Sequence, residues 1–246
     1  MNTKAELIVL NHTKFGENTI ILHTLSNEYG RRGFLVRVGA KSSMALFLPM
    51  NILEAEISES PKSQLWRASN FVCLSPLNGI RGDIRKNTMT VFMSEVLYRA
   101  ILEDTNEGGL ASWLKQEILT LDALESDFSN FHLLFLLDLC AALGFSPSLP
   151  GLAPFAGTQL SNIEALLQAY LPSPADSLRF QSDSLRLPSE ATPPAEYGNR
   201  LVSALLLPLK GTDRNEIAEA IIRYISYHTE TNLNIRSLAI LREIFG

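Results

Sequence analysis

Hydrophobic residues alternate through the first 75 residues of this chain, and from about residue 78 onward they recur every three or four. A period of two lays side chains on alternate faces of a strand, whereas the longer period lines them along one side of a helix. In "AELIVLNH" (5–12) Leu7 and Val9 share one face, with Ile8 and Leu10 on the other. "TIILHTL" (19–25) follows after a polar step. In "GFLVRV" (33–38) Phe34, Val36 and Val38 share a face from which Arg37 points away. "ILEAEIS" (52–58) sets Leu53, Ala55 and Ile57 against Glu54 and Glu56, and "LWRASNFVCL" (65–74) closes the set. No helical pattern long enough to cross between parallel strands lies among them, so a small closed barrel is expected. An OB-type five-stranded barrel leads, with an SH3-like barrel as the alternative.

The later pattern predicts helices. Met89, Phe92, Met93, Val96, Leu97 and Ala100 form an amphipathic stripe, and "LASWLKQEILTLDAL" (110–124) reads as a second helix. "FHLLFLLDLCAALGF" (131–145) is apolar nearly all round, as the centre of a bundle would be, with Gly144 as its stop. Ser161/Glu164 and Asp213/Glu216 have the spacing of capping pairs. Most of the twelve prolines fall in "FSPSLPGLAPFAG" (145–157) and in residues 172–194, where "LRFQSDSLRL" could form a hairpin. The expected fold class is therefore α+β, with a barrel over residues 1–77. A helical domain over 78–246 follows, carrying an irregular proline-rich insertion around 145–194.

Recognisable catalytic chemistry is missing. No phosphate-cradling glycine loop and no G-x-S-x-G turn occurs. The four histidines lie on separate elements, none at ligand spacing from another His or Cys, so no metal and no cofactor are expected. Cys73 and Cys140 read as buried free thiols of a reducing, cytoplasmic compartment. No apolar run is long enough to span a membrane, and the first residues carry no cleavage-site pattern, so neither a span nor a signal peptide is expected. "RGD" (81–83) reads as a chance match that helps open a helix. An enzyme is not expected.

Charge singles out one place. The whole chain carries a formal net charge of −5, yet residues 1–80 hold eight Lys/Arg against six Asp/Glu. "YGRRGFLVRVGAK" (29–41) contains Arg31, Arg32, Arg37 and Lys41 and no carboxylate. One reading is a charged hairpin edge that blocks pairing with a second sheet. The other is a cationic groove for a polyanion, with Lys14 beside it and Phe15, Tyr29 and Phe34 as rings on which bases could stack.

The same stretch, with its flanks, resembles the RecO family. "KFGENTIILHTLSNEYGRRGFLVRVGAK" (14–41) carries Phe15-Gly16-Glu17, Leu25-Ser26, Glu28, Tyr29-Gly30 and Gly39-Ala40-Lys41 in the family's order. "IRSLAILREIF" (235–245) is similar to the family's closing helix. The resemblance implies a DNA-binding recombination mediator that is not an enzyme. Such proteins bind single- and double-stranded DNA, anneal strands and help load recombinase onto single-stranded DNA. They pair with RecR and with the acidic tail of single-stranded-DNA-binding protein. It implies Lys14, Arg31, Arg32, Arg37 and Lys41 as DNA-binding residues, with Arg242 a weaker candidate for the acidic tail. Many members carry two Cys-x-x-Cys pairs after the central helix; here that region has no Cys, so no structural zinc is expected. The run after Gly-Ala, "KSSMALF", is poorer in cations than is usual for the family. A protein-only interaction scaffold whose OB barrel has weak or no nucleic-acid affinity is the competing reading.

Overall fold

A computed structural model describes residues 2–39, 44–59, 65–103, 108–170 and 195–246. Lys41 and the 178–187 hairpin expected from sequence lie outside the described residues. The chain packs as two compact units, Met1–Asp122 and Ala123–Gly246.

The first unit is built on five strands: β1 (Asn2–Gly16), β2 (Thr19–Ser26), β3 (Gly30–Arg37), β4 (Ile52–Ser58) and β5 (Trp66–Cys73). They close into a barrel in the order β1-β2-β3-β5-β4, the connectivity of an OB-fold. One long strand closes the ring: β1 pairs with β4 along Asn2–Ile8 and with β2 from Ile8 to Gly16. A register shift between Val9 and Asn11 marks the change of partner. There the Val9 backbone exchanges hydrogen bonds with Met50 and Asn51 of the β3–β4 connection. Alternation fills the interior with Leu7, Val9, Leu22, Phe34, Val36, Leu53, Ala55, Ile57 and Ala68. β5 bulges at Asn70 (φ 54°), and beyond it Val72, Cys73 and Leu74 are exposed. Cys73 is therefore not the buried thiol expected from its apolar neighbours, whereas Cys140 is buried; both are free.

Three helices share this unit: α1 (Asn78–Gly82), α2 (Ile84–Ala100) and α3 (Leu110–Ala123), the last ending at the unit's boundary. The "RGD" tripeptide joins α1 to α2. Arg81 donates to Asn87 Oδ1 (2.6 Å), Asn51 Oδ1 (2.6 Å) and the Pro49 carbonyl (2.9 Å), tying the helices to the β3–β4 connection. Asp83 caps α2 by accepting from the Arg85 amide at 2.8 Å. α1 meets α3 through Gly79, where a Cβ would lie 2.0 Å from the Asp122 carbonyl oxygen, so only glycine permits the approach.

In the second unit α4 (Phe131–Ala142) is buried along nearly its whole length. It stops where expected, at Gly144, whose φ of +87° suits the residue that ends a helix. Around it lie α5 (Leu149–Ala156), α6 (Leu160–Tyr170), α7 (Ala195–Leu205), α8 (Gly211–His228) and α9 (Ser237–Phe245). α5 corrects the expectation of irregular chain over 145–157. Ser148 caps it and a proline sits in its first turn, where the missing N–H costs nothing. Neither expected capping pair starts its helix. α6 continues from a 3-10 turn before Ser161, and α8 begins at Gly211, which places Asp213 inside its first turn. Asp213 and Glu216 instead accept from the Gln159 amide.

Side chains close the other helix ends. Asn130 donates to the carbonyls of Ala204, Leu205 and Leu207, and Arg214 to those of Leu209 and Phe245. Burial holds the His132 imidazole down at about 3 and pushes the Asp138 carboxyl up to about 7, against the pull of the Tyr170 hydroxyl that donates to it.

Candidate nucleic-acid interface

Strand parity decides which side chains of β3 leave the barrel. Phe34 and Val36 point inward, so Gly33, Leu35 and Arg37 face out, and Arg31 shares their side. On β2 the outward partners are Thr19 opposite Arg37, Ile21 opposite Leu35 and His23 opposite Gly33. On the other side β5 runs parallel to β3, with Leu35 level with Arg67. β2, β3 and β5 together contain Arg31, Arg32, Arg37 and Arg67 and no Asp or Glu. The carboxylates of the strands lie on the other two, Glu6 on β1 and Glu54 and Glu56 on β4; β4 pairs with β5, where Ser58 stands opposite Arg67 and Glu56 opposite Ser69.

The five residues expected to bind DNA separate on this frame. Arg37 is exposed and makes no ion pair with any described residue. Arg31 lies on the same outward side but is half-buried, its guanidinium carbon 4.6 Å from the centre of the Tyr98 ring on α2. Six residues separate the two, or about 20 Å of strand. Arg32 points to the other side of β3, where its guanidinium lies 3.8 Å over the Trp66 ring. Lys14 is exposed near the end of β1 and pairs with Ile20, which gives it the inward parity of Ile20 and Val36 rather than that of Arg37. Lys41 falls outside the described residues. Arg31 and Arg37 are thus brought to one side, and Arg32 and Lys14 are not.

The three candidate rings also separate. Phe34 is fully buried, and Tyr29 packs edge-on against Phe34 (5.9 Å) and Trp66 (5.5 Å). Phe15, 60% exposed at the end of β1, is the one open to a stacking partner.

Near Arg31 the surface is more closed. The bare Gly33 backbone leaves a hollow into which Ile21, His23 and Glu103 pack, and His23 meets Tyr98 edge-on at 5.0 Å. Burial, and then the Arg31 charge, hold the His23 imidazole below its usual range. Glu103 partly offsets Arg31 there, so the open positive charge sits toward Arg37 and Arg67.

Arg67 was not singled out from sequence. The alternation of "WRASNFVC" shows that it leaves the core, but only the adjacency of β5 and β3 sets it beside Arg37. In the second unit Arg242 and Arg223 both bond to Glu219, so Arg242 is not an open cation there. Among the described residues no group of three or more His, Cys, Asp or Glu could hold a metal ion. No helix among them is long and apolar enough to cross a membrane.

Comparison with known proteins bears on this arrangement. The family model described as Recombination protein O N terminal matches residues 1–76, and that described as Recombination protein O C terminal matches residues 81–150. The chain is 29% identical over 250 residues to the DNA repair protein RecO of Bacteroides fragilis, covering 97% of each chain. It is 26% identical over 251 residues to that of Flavobacterium psychrophilum, covering all of both. With that of Phocaeicola vulgatus it shares 33% identity over 145 residues, 57% of this chain and 60% of the relative. The chain belongs to the RecO family.

Proposed function

We propose that this protein is a DNA-binding recombination mediator, in keeping with the DNA repair role its relatives' names carry. In this reading it binds single- and double-stranded DNA and anneals complementary strands. It also helps load recombinase onto single-stranded DNA, with RecR and the acidic tail of single-stranded-DNA-binding protein as partners. It acts by binding rather than by bond-breaking chemistry. The observation that carries the reading is the outward side of β2, β3 and β5, which holds arginines and no carboxylate in an otherwise acidic chain. Guanidinium groups bind phosphate in two-pronged geometry, and contacts of this kind release counterions and weaken with salt.

Titrating labelled oligothymidylate with the full chain at increasing salt tests it. Log K is expected to fall linearly with log salt, by roughly 0.7 per phosphate contacted. Arg37→Ala should lower that slope, whereas Arg32→Ala, whose guanidinium is engaged by Trp66, should not. Absence of binding even at low salt would replace this reading with the protein-only scaffold.

A further inference from the structure

We propose that Arg67 on β5 is a phosphate-binding residue of the interface, which makes the DNA surface two strands wide; this rests on the DNA-binding reading above. Parallel pairing puts level residues on the same side of a sheet, so Arg67 faces outward with Leu35. Arg37 is the next outward residue along β3, and standard strand spacings place its Cα about 8 Å from that of Arg67. Both side chains leave the same outward side and are exposed, and neither makes a hydrogen bond or ion pair with any described residue.

Like charges side by side on a sheet repel, and this barrel relieves such contacts elsewhere. Glu6 and Glu54 sit directly opposite each other, and each has a lysine: Lys115 at 2.6 Å and Lys4 at 2.6 Å. Glu56 accepts from the Asn70 amide at 2.9 Å. Neither arginine of the pair makes an ion pair with any described residue, so both are open to an anion from solution. A phosphodiester chain suits the position. Arg31, Arg67 and Arg37 follow one another along the strand direction, and the half-buried Ile21 and Leu35 lie among them as apolar surface for sugars or bases.

The test uses the full chain and labelled oligothymidylate, comparing wild type with Arg67→Ala, Arg67→Lys and Arg37→Ala across salt. Arg67→Ala should weaken binding roughly tenfold and lower the salt slope by about 0.7, one phosphate contact. Arg67→Lys should keep the slope, because the charge remains, while losing part of the affinity. Thermal unfolding of both variants should match wild type, because the side chain is exposed and makes no hydrogen bond or ion pair with any described residue. If wild type binds with the expected salt dependence and Arg67→Ala leaves affinity and slope unchanged, Arg67 is not in the interface. If wild type binds an acidic peptide but no DNA at low salt, the DNA-binding reading falls and takes this assignment with it.

Discussion

The β1–β4 side of the barrel and its β3–β5 side are made from the same alternating strands, yet they treat charge in opposite ways. On the first, three carboxylates face outward and each meets a lysine or an amide of the same unit. On the second, Arg37 and Arg67 leave the same outward side and make no ion pair with any described residue. Charge that is answered within the fold serves the fold; charge left open is available to something else. A gatekeeping role, in which basic residues guard an open strand edge, loses its main ground here because the sheet closes on itself.

The largest expected effect breaks this contrast outright. Reversing both open arginines (Arg37→Glu with Arg67→Glu) should weaken single-stranded DNA binding by roughly a hundredfold or more. Reversing Glu6→Lys on β1, which does not pair with β5, should leave affinity within about threefold. Anisotropy titrations at one fixed salt concentration measure both. A gain in affinity from Glu6→Lys in proportion to its charge change would show that only net charge matters and that there is no defined face.

A desolvated carboxyl sharpens the rule from the second unit, where Asp138 accepts from the Tyr170 hydroxyl and lies near the Cys140 thiol, with no cation paired to it among the described residues. Its carboxyl is raised to about 7 by burial, so the folded chain holds a proton that the unfolded chain releases near pH 4. Its contribution to stability is complete below about pH 4 and is lost as pH rises through 7. Asp138→Asn should therefore stabilise the protein at pH 8, on the order of 1–3 kcal/mol, and flatten its stability between pH 5 and 8. Denaturant melts across that range check it; a less stable variant at pH 8 would mean that the ionised carboxylate is the favoured partner of Tyr170.

Smaller effects separate the arginines from one another. Arg32→Ala should cost about 0.5–1 kcal/mol of stability, from the lost stack on Trp66, without changing the salt slope of DNA binding. A slope change would move the binding surface to the end of the barrel that Trp66 and Tyr29 cover. Smallest is Lys115→Met, which leaves Glu6 facing Glu54 with one lysine fewer. It should lower stability by less than about 1 kcal/mol, and Glu6→Gln should restore it. Thermal melts of the single and double variants read the coupling.

Much of this fold was legible in sequence, and the unread parts share a cause. The strands of the barrel were visible as alternation, and α4 as an apolar run ending at Gly144. The starts of α6 and α8 were misread, because a capping pair is a local pattern that forms only if the preceding residues leave the helix. Before Ser161 and Asp213 they do not. Cys73 was misread because the bulge at Asn70 carries the end of β5 past the core, and nothing in "NFVC" announces a bulge. Of the expected site, the outward direction of Arg37 followed from parity, but Arg31 and Arg32 stood at a turn where parity could not be assigned.

By itself, then, the sequence determined which residues leave the core, since a period of two is a property of each strand's own backbone. It also determined that the first 80 residues are the basic part of an acidic chain. Which strands become neighbours was decided only by closure of the barrel. β3 and β5 are far apart in the chain and touch through two residue pairs. That pairing alone sets Arg67 level with Leu35, one outward step from Arg37, and brings Trp66 under Arg32, which parity turns to the other side of β3.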